Sequence, residues 1–175
     1  DYTTNNLAAF RDYIAKTPAF AEHASSIQYA YDVNLNIYTR DKNGEIVKSD
    51  VKALFQSMYE SAGMSMPASA SNAMRTYQIW EQLLDGENGE LINPLLYEQY
   101  DLLSGRWPES ANEVVLAVDK NNQLTDMTLY ALGLRTGDEL MASMMGDAAG
   151  TGVDTSNLTT SWTYDELCDI SFRYI

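Results

Sequence analysis

The chain has 175 residues, 45% of them hydrophobic and 21% charged, which is enough apolar material for one domain with a real core and too much for a disordered chain. Its 25 acidic residues outnumber 11 basic ones and leave a net charge of −14; a surface this acidic repels phosphate backbones and anionic lipid heads, so nucleic acid is not an expected partner. The one cysteine, Cys168, forms no internal disulfide, so stability must come from packing, and a free thiol in an apolar segment is expected to be buried. No run reaches the roughly 18 consecutive apolar residues of a membrane span. The chain opens on Asp1-Tyr2-Thr3-Thr4 without an initiator Met and closes on the apolar alternation Phe172-Arg173-Tyr174-Ile175. Both ends read as those of a piece of a longer protein.

In chain order, Leu7, Phe10, Tyr13 and Ile14 fall at helical spacing behind a cap at Asn5 or Asn6. Pro18 ends that helix and, after Thr17, starts a short second one through Ala24. Ile27, Tyr29, Tyr31, Val33, Leu35 and Ile37 then alternate with polar or small residues, which predicts a half-buried strand with these tyrosines in the core. Asp41-Lys42-Asn43-Gly44 is a hairpin-type turn, with a short return strand over residues 45–48. Asp50 caps a helix whose Val51, Leu54, Phe55, Met58 and Tyr59 mark one buried face. Residues 62–72 read as a loop. Residues 74–84 fit either a helix or a strand. Residues 85–90 form a turn, and Asn93-Pro94 starts a short helix.

Signals are densest from Tyr97 to Leu134. Residues 100–104 (YDLLS) predict a short strand, broken by Gly105-Arg106-Trp107-Pro108. Residues 113–119 (EVVLAVD) are apolar without alternation, as expected of a central strand buried on both faces. A polar turn follows at 119–123. Thr125 then caps a two-turn helix, with Leu124 and Leu129 at staple spacing and Gly133 placed for a left-handed cap. Beyond it, Thr136 and Glu139 have capping-box spacing for a helix over Leu140, Met141 and Met144 that stops at Gly146. Residues 147–160 are polar and aperiodic and predict a mobile loop. Thr163 and Glu166 repeat the capping-box spacing, and Ile170, Phe172 and Tyr174 predict a last strand. Interleaved strands and helices argue for an α+β fold, a mixed sheet covered by helices.

The chemistry of sites is thin. With His23 and Cys168 each alone of their kind, no zinc or iron site of the usual nitrogen and sulfur type can be built. The turn beginning at Asp119 starts like a calcium loop but has Leu124 where the glycine belongs and Tyr130 where the glutamate belongs. Gly63-Met64-Ser65-Met66-Pro67 lacks the second glycine of a nucleophile elbow, and neither phosphate-binding glycine motif occurs. Acidic pairs are too frequent in this chain to mark a glycosidase. Arg106, with Glu109 and Glu113 nearby in sequence, is expected to pair with one of them and pin the turn. Trp80, Trp107 and Trp162 are the aromatic candidates for a binding face. Met64, Met66, Met141, Met144 and Met145 form adaptable apolar segments able to touch a partner or substrate.

The stretches Gln99-Tyr100-Asp101-Leu102-Leu103, Gly105-Arg106-Trp107-Pro108, Asn112-Glu113-Val114-Val115-Leu116 and Leu129-Tyr130-Ala131-Leu132-Gly133-Leu134 together resemble the MacB-like periplasmic core domain of FtsX-like ABC-transporter permeases, in its Gram-positive form. Ile27-Gln28-Tyr29 with Asp32, Leu35 and Ile37-Tyr38 upstream fits the same pattern, as do Trp162-Thr163-Tyr164-Asp165-Glu166-Leu167 and Ile170-Ser171-Phe172 downstream. The resemblance implies β-α-β units beside a smaller second lobe, and tips residues 76–81 to a strand. It implies that residues 1–175 are a single extracellular domain of a membrane protein, non-catalytic, with no metal or cofactor and no catalytic residue. It also implies an ATPase subunit in the cytoplasm as partner through the parent's membrane helices, and a second permease copy. The domain would relay ATP-driven motion to export or extracellular handling of a peptide, lipid-linked or drug-like substrate. The competing expectation is a free-standing secreted binding or adhesion module that recognises carbohydrate or protein through exposed aromatics; an acidic hydrolase ranks below it.

Overall fold

Local signals decide most of the helices. In a computed structural model of the chain, residues 5–24, 26–29, 35–74, 78–86, 89–146 and 150–175 are described. The chain falls into two compact units, Asp1–Val33 and Asn34–Ile175. In the first, α1 (Leu7–Lys16) starts where the Asn6 side chain accepts the Ala9 amide. The helix α2 (Pro18–His23) begins on Pro18, and Tyr13 meets Phe20 edge-on at 6.0 Å. The apolar stripe of α1 is not covered among the described residues: Leu7, Phe10 and Tyr13 are exposed.

The second unit is a small α+β arrangement, a three-stranded antiparallel sheet flanked by helices, with strand order β2-β1-β3. Strand β1 (Ile37–Arg40) lies in the centre. It pairs with β2 (Ile46–Lys48) in the register Tyr38 with Lys48 and Arg40 with Ile46. Its other neighbour is the two-residue β3 (Arg173–Tyr174), with Ile37 opposite Tyr174. The β1–β2 turn is closed by Asp41, whose Oδ1 accepts the amides of Asn43 and Glu45, and by Gly44 at φ +81°.

Five helices follow as their caps dictate, and one arises without a cap signal in the sequence. Asp50 accepts the Ala53 amide and starts α3 (Val51–Ser61). Helix α4 (Ala68–Met74) occupies part of the stretch expected to be loop; its run of small residues carries no periodicity, and it forms beside α3, where Met66 and Met74 meet the core. Asn93 and Pro94 start α5 (Pro94–Gln99), and Thr125 caps α6 (Asp126–Ala131). Capping boxes at Thr136–Glu139 and Thr163–Glu166 start α7 (Gly137–Met145) and α8 (Tyr164–Cys168). In the stretch 147–160, expected to be loop, residues 147–149 lie outside the described ones, and Asp154 caps a single 3-10 turn at Thr155–Asn157. The core is built by α3, α6 and α7: Val51, Phe55, Tyr130, Leu140 and Met141 form one cluster, with Leu54, Met66, Met74, Ile79 and Met127 packed around it.

Helix α6 ends in a Schellman motif. Gly133 at φ +80° donates to the Tyr130 carbonyl, and Leu134 donates to that of Leu129. The same glycine brings the helix end against the sheet, since a Cβ there would lie 2.2 Å from the Arg40 carbonyl oxygen. Ser49 reinforces the junction by donating to the Ala131 carbonyl at 2.6 Å while Trp80 Nε1 donates to its hydroxyl at 2.9 Å. Trp80 in turn meets Phe172 edge-on at 4.8 Å, and Thr39 donates to the Ser171 carbonyl.

The strands depart from expectation. Residues 113–119 are not a buried central strand: they join no ladder, and Val114, Val115 and Leu116 are 56%, 38% and 38% exposed. Residues 100–104 are likewise outside the sheet, with Tyr100, Leu102 and Leu103 exposed. The reason is topological. Both flanks of β1 are taken by β2 and β3. The turn at Asp119 repeats the geometry of the Asp41 turn, with Asp119 Oδ1 accepting from Asn121 and Gln123 and Asn122 at φ +58°. After the first turn the chain returns as a strand; after the second it enters the cap of α6 within two residues, so nothing returns to pair. Of the alternating strand expected from Ile27, only Ile37 joins the ladder among the described residues, where Ile27, Tyr29 and Leu35 are exposed; Tyr31 and Val33 lie outside the described residues. The strand expected at 76–81 is partly outside them, and residues 78–81 are in no ladder.

Candidate functional site

The densest polar cluster gathers at the α6–α7 corner, where the Schellman motif turns the chain and delivers Arg135 inward. The Arg135 side chain is 7% exposed. Its Nη2 donates to the Thr159 carbonyl at 2.9 Å, and its guanidinium sits 5.8 Å from the centroid of the Trp162 ring. Asp126 Oδ1 lies 3.8 Å from Nε, which has no hydrogen-bond partner of its own among the described residues. One turn on, Glu139, also 7% exposed, accepts the Thr136 amide at 2.9 Å and the Lys42 ammonium from the β1–β2 turn. Burial alone would push the Glu139 carboxyl up, but the Lys42 and Thr136 hydrogen bonds and the Arg135 charge hold it below the usual carboxylate range.

This arrangement is a clasp. Buried charges persist only where they are paired and hydrogen-bonded, and here two cations and two carboxylates tie the hairpin turn, the α6–α7 corner and residues 159–162 together. Ser143, on α7, donates its hydroxyl to the second oxygen of Asp126. Arg135→Ala is expected to cost about 2 kcal/mol, because it strips a carbonyl of a charged donor. It should also speed amide exchange around residues 158–162 more than within α3. Equal exchange in both regions would contradict the clasp.

The Arg106 turn forms a second, exposed cluster. Gly105 at φ +73° starts it. Arg106 makes a bidentate pair with Glu113 at 2.8 and 2.7 Å, lies 3.7 Å from Glu109, and donates to the Trp107 carbonyl. Glu113 also accepts the Glu109 amide at 2.9 Å. The guanidinium hydrogen bonds, with that amide, hold the Glu113 carboxyl down at about 2. Because the folded value is depressed, its contribution to stability is present above the ordinary carboxylate pKa and fades as pH falls toward 2. Arg106→Ala is expected to return Glu113 to the ordinary range in a carboxyl NMR titration and to lower the melting temperature slightly. A Glu113 that still titrates near 2 would remove Arg106 as the cause. Trp107 packs edge-on against Tyr97 at 4.9 Å and an interplanar angle of 82°.

The other sequence candidates are scattered. His23 ends α2 in the first unit. Cys168, expected to be buried, is exposed at the end of α8, because that five-residue helix buries no side chain. Ser65 lies in the segment between α3 and α4. Asp119 spends Oδ1 on two backbone amides, as a turn residue does. Among the described residues no group of three or more His, Cys, Asp and Glu could hold a metal ion. The methionines divide: Met141 is buried and Met66 packs on the core, while Met64, Met144 and Met145 are exposed. Of the expected candidates, the structure brings together Arg106, Glu109 and Glu113. Sequence reasoning misses the Arg135 clasp, although an arginine shortly after a glycine cap, in an otherwise apolar stretch, is the signal that could have found it.

Comparison of the chain with protein-family models, with curated proteins and with solved structures returns no match in any of the three.

Proposed function

We propose that this chain is a non-catalytic extracellular domain of an FtsX-like ABC-transporter permease, a MacB-like core domain of Gram-positive type. In this reading it passes ATP-driven movement of the parent's membrane helices to a peptide, lipid-linked or drug-like substrate outside the cell membrane. The cytoplasmic ATPase subunit supplies the energy, and a second permease copy completes the transporter.

The observation that carries the reading is a convergence of three of the stretches that carry the resemblance, those around Ile37, Gly133 and Phe172; the stretches at 99–103 and 112–116 take no part in it. Ile37-Tyr38 form the start of β1, the glycine of Leu129–Leu134 abuts the end of that strand, and Ser171 and Phe172 are held by Thr39 and Trp80. Segments far apart in sequence thus meet around one strand, as parts of a single domain pattern should. The tight α6–β1 junction and the Arg135 clasp also suit a body that moves as a unit, which conformational relay requires. Among the described residues no helix is long and apolar enough to cross a membrane, so in this reading the membrane helices belong to other parts of the parent.

The secreted-module alternative asks for an aromatic platform. Tyr97 and Trp107 are the pair to consider, but they meet edge-on and offer no coplanar face for a sugar ring. The test is affinity purification of the parent from detergent-solubilised membranes. Recovery of a nucleotide-binding subunit in stoichiometric amount supports the permease reading; a parent that purifies alone, without detergent, overturns it.

A further inference from the structure

Arg135 is buried with half of its best edge unused. The Nε and Nη2 hydrogens of a guanidinium lie along one side, and that side meets a carboxylate through two parallel bonds, the strongest pairing an arginine makes. In this protein the side is split. Nη2 donates to the Thr159 carbonyl at 2.9 Å, while Nε, in a side chain 7% exposed, has no hydrogen-bond partner among the described residues. A buried donor left unsatisfied is costly. The carboxylate that would satisfy it is close by. Asp126 Oδ1 stops 3.8 Å from Nε, and Oδ2 of the same carboxylate accepts the Ser143 hydroxyl at 2.5 Å. Glu139 offers no alternative, since its two oxygens accept Lys42 and the Thr136 amide.

Thr159 belongs to a strap that hangs on this arginine. Among the described residues the bond from Arg135 is the only one made by the backbone of residues 159–162, and the Trp162 ring is their other contact with the guanidinium. The flanks close on themselves. Asp154 holds the Ser156 amide and the Asn157 side chain, and Thr163 and Glu166 form their own capping box. Residues 159–162 can therefore leave Arg135 without breaking the structure on either side.

We propose that Arg135 is the pivot of a two-state latch. In the closed state, the one the structure shows, it holds the Thr159 carbonyl and the Trp162 ring. In the open state Nε and Nη2 both turn to Asp126, Ser143 releases that carboxylate, and residues 159–162 swing free and expose Trp162. Ser143 on α7 biases the latch toward closed, because it holds Asp126 away from Nε. Lys42 and Glu139 keep the hairpin turn on α7 in both states. The latch stands independently of the permease reading.

The test uses the full 175-residue chain, cut briefly with chymotrypsin under native conditions and followed by mass spectrometry. The rate of the cut after Trp162 tracks the open fraction. It is read against the cut after Phe55, a buried residue of α3 that reports unfolding of the whole unit. Ser143→Ala frees Asp126 and is expected to speed the Trp162 cut about threefold or more, and to move the Arg135 Nε proton downfield in an NMR spectrum as it bonds to the carboxylate. Asp126→Asn removes the open-state partner and is expected to slow the cut about threefold or more. With Asp126→Asn in place, adding Ser143→Ala should change nothing further. A static clasp gives the opposite sign for Asp126→Asn, a faster cut after loss of a charge facing Arg135, and that result would overturn the latch. A Ser143→Ala variant cut at the parent rate, or a Ser143→Ala effect that persists beside Asp126→Asn, would overturn it as well.

Discussion

Gly133→Ala is expected to be the most damaging single-methyl change in this protein. Gly133 sits at φ +80°, where an L side chain costs about 1–2 kcal/mol. The added Cβ would also lie 2.2 Å from the Arg40 carbonyl oxygen and 3.0 Å from its carbon. These are backbone atoms of the central strand, so relief requires moving either β1 or the end of α6, and overpacking of that kind adds about 1–3 kcal/mol. The sum, about 2–5 kcal/mol, should appear as a lower urea midpoint at unchanged m-value. Gly63→Ala is the internal control. Gly63 has φ +70°, but a Cβ added there would meet nothing within 4 Å, so only the conformational part should be lost. Equal losses at the two positions would contradict the close approach of α6 to β1.

Leu140→Ala is the second large effect. Leu140 is 0% exposed and sits in the cluster with Val51, Phe55, Tyr130 and Met141. Truncation removes its transfer energy and leaves a cavity lined by three helices, a combination that costs about 2–5 kcal/mol. Met144→Ala on the same helix should change stability by less than about 0.5 kcal/mol, because that side chain is 46% exposed. A Leu140→Ala variant as stable as Met144→Ala would mean that α7 does not turn this face to the core.

These two sites also show what the sequence makes legible. Gly133 and the caps at Asp50, Asn93, Thr125, Thr136 and Thr163 are local devices: each satisfies backbone groups within three or four residues, so pattern alone places them. Leu140 follows from its capping box and spacing. Residues 113–119 do not follow in the same way. An apolar run without alternation fits a buried strand, but whether a neighbour pairs with it depends on strands far away in sequence. Here those strands leave no vacancy beside β1. Helix α4 escapes a pattern reading for a related reason: Ala68, Ser69 and Ala70 carry no periodicity and gain helical form beside α3. In the Arg106 turn the sequence already names the partners, since Glu109 and Glu113 lie within seven residues of Arg106. In the Arg135 clasp the partners Lys42, Thr159 and Trp162 come from separate stretches, and only the fold brings them together.

Whether this chain belongs to a membrane permease is decided by fractionating the source cells and blotting with an antibody raised against the domain. The expected signal lies in the membrane pellet, in a polypeptide much larger than 19.6 kDa that detergent alone releases, and protease added to intact cells should digest the domain. A small soluble protein in the culture medium, or a membrane signal shielded from external protease, would contradict the permease reading.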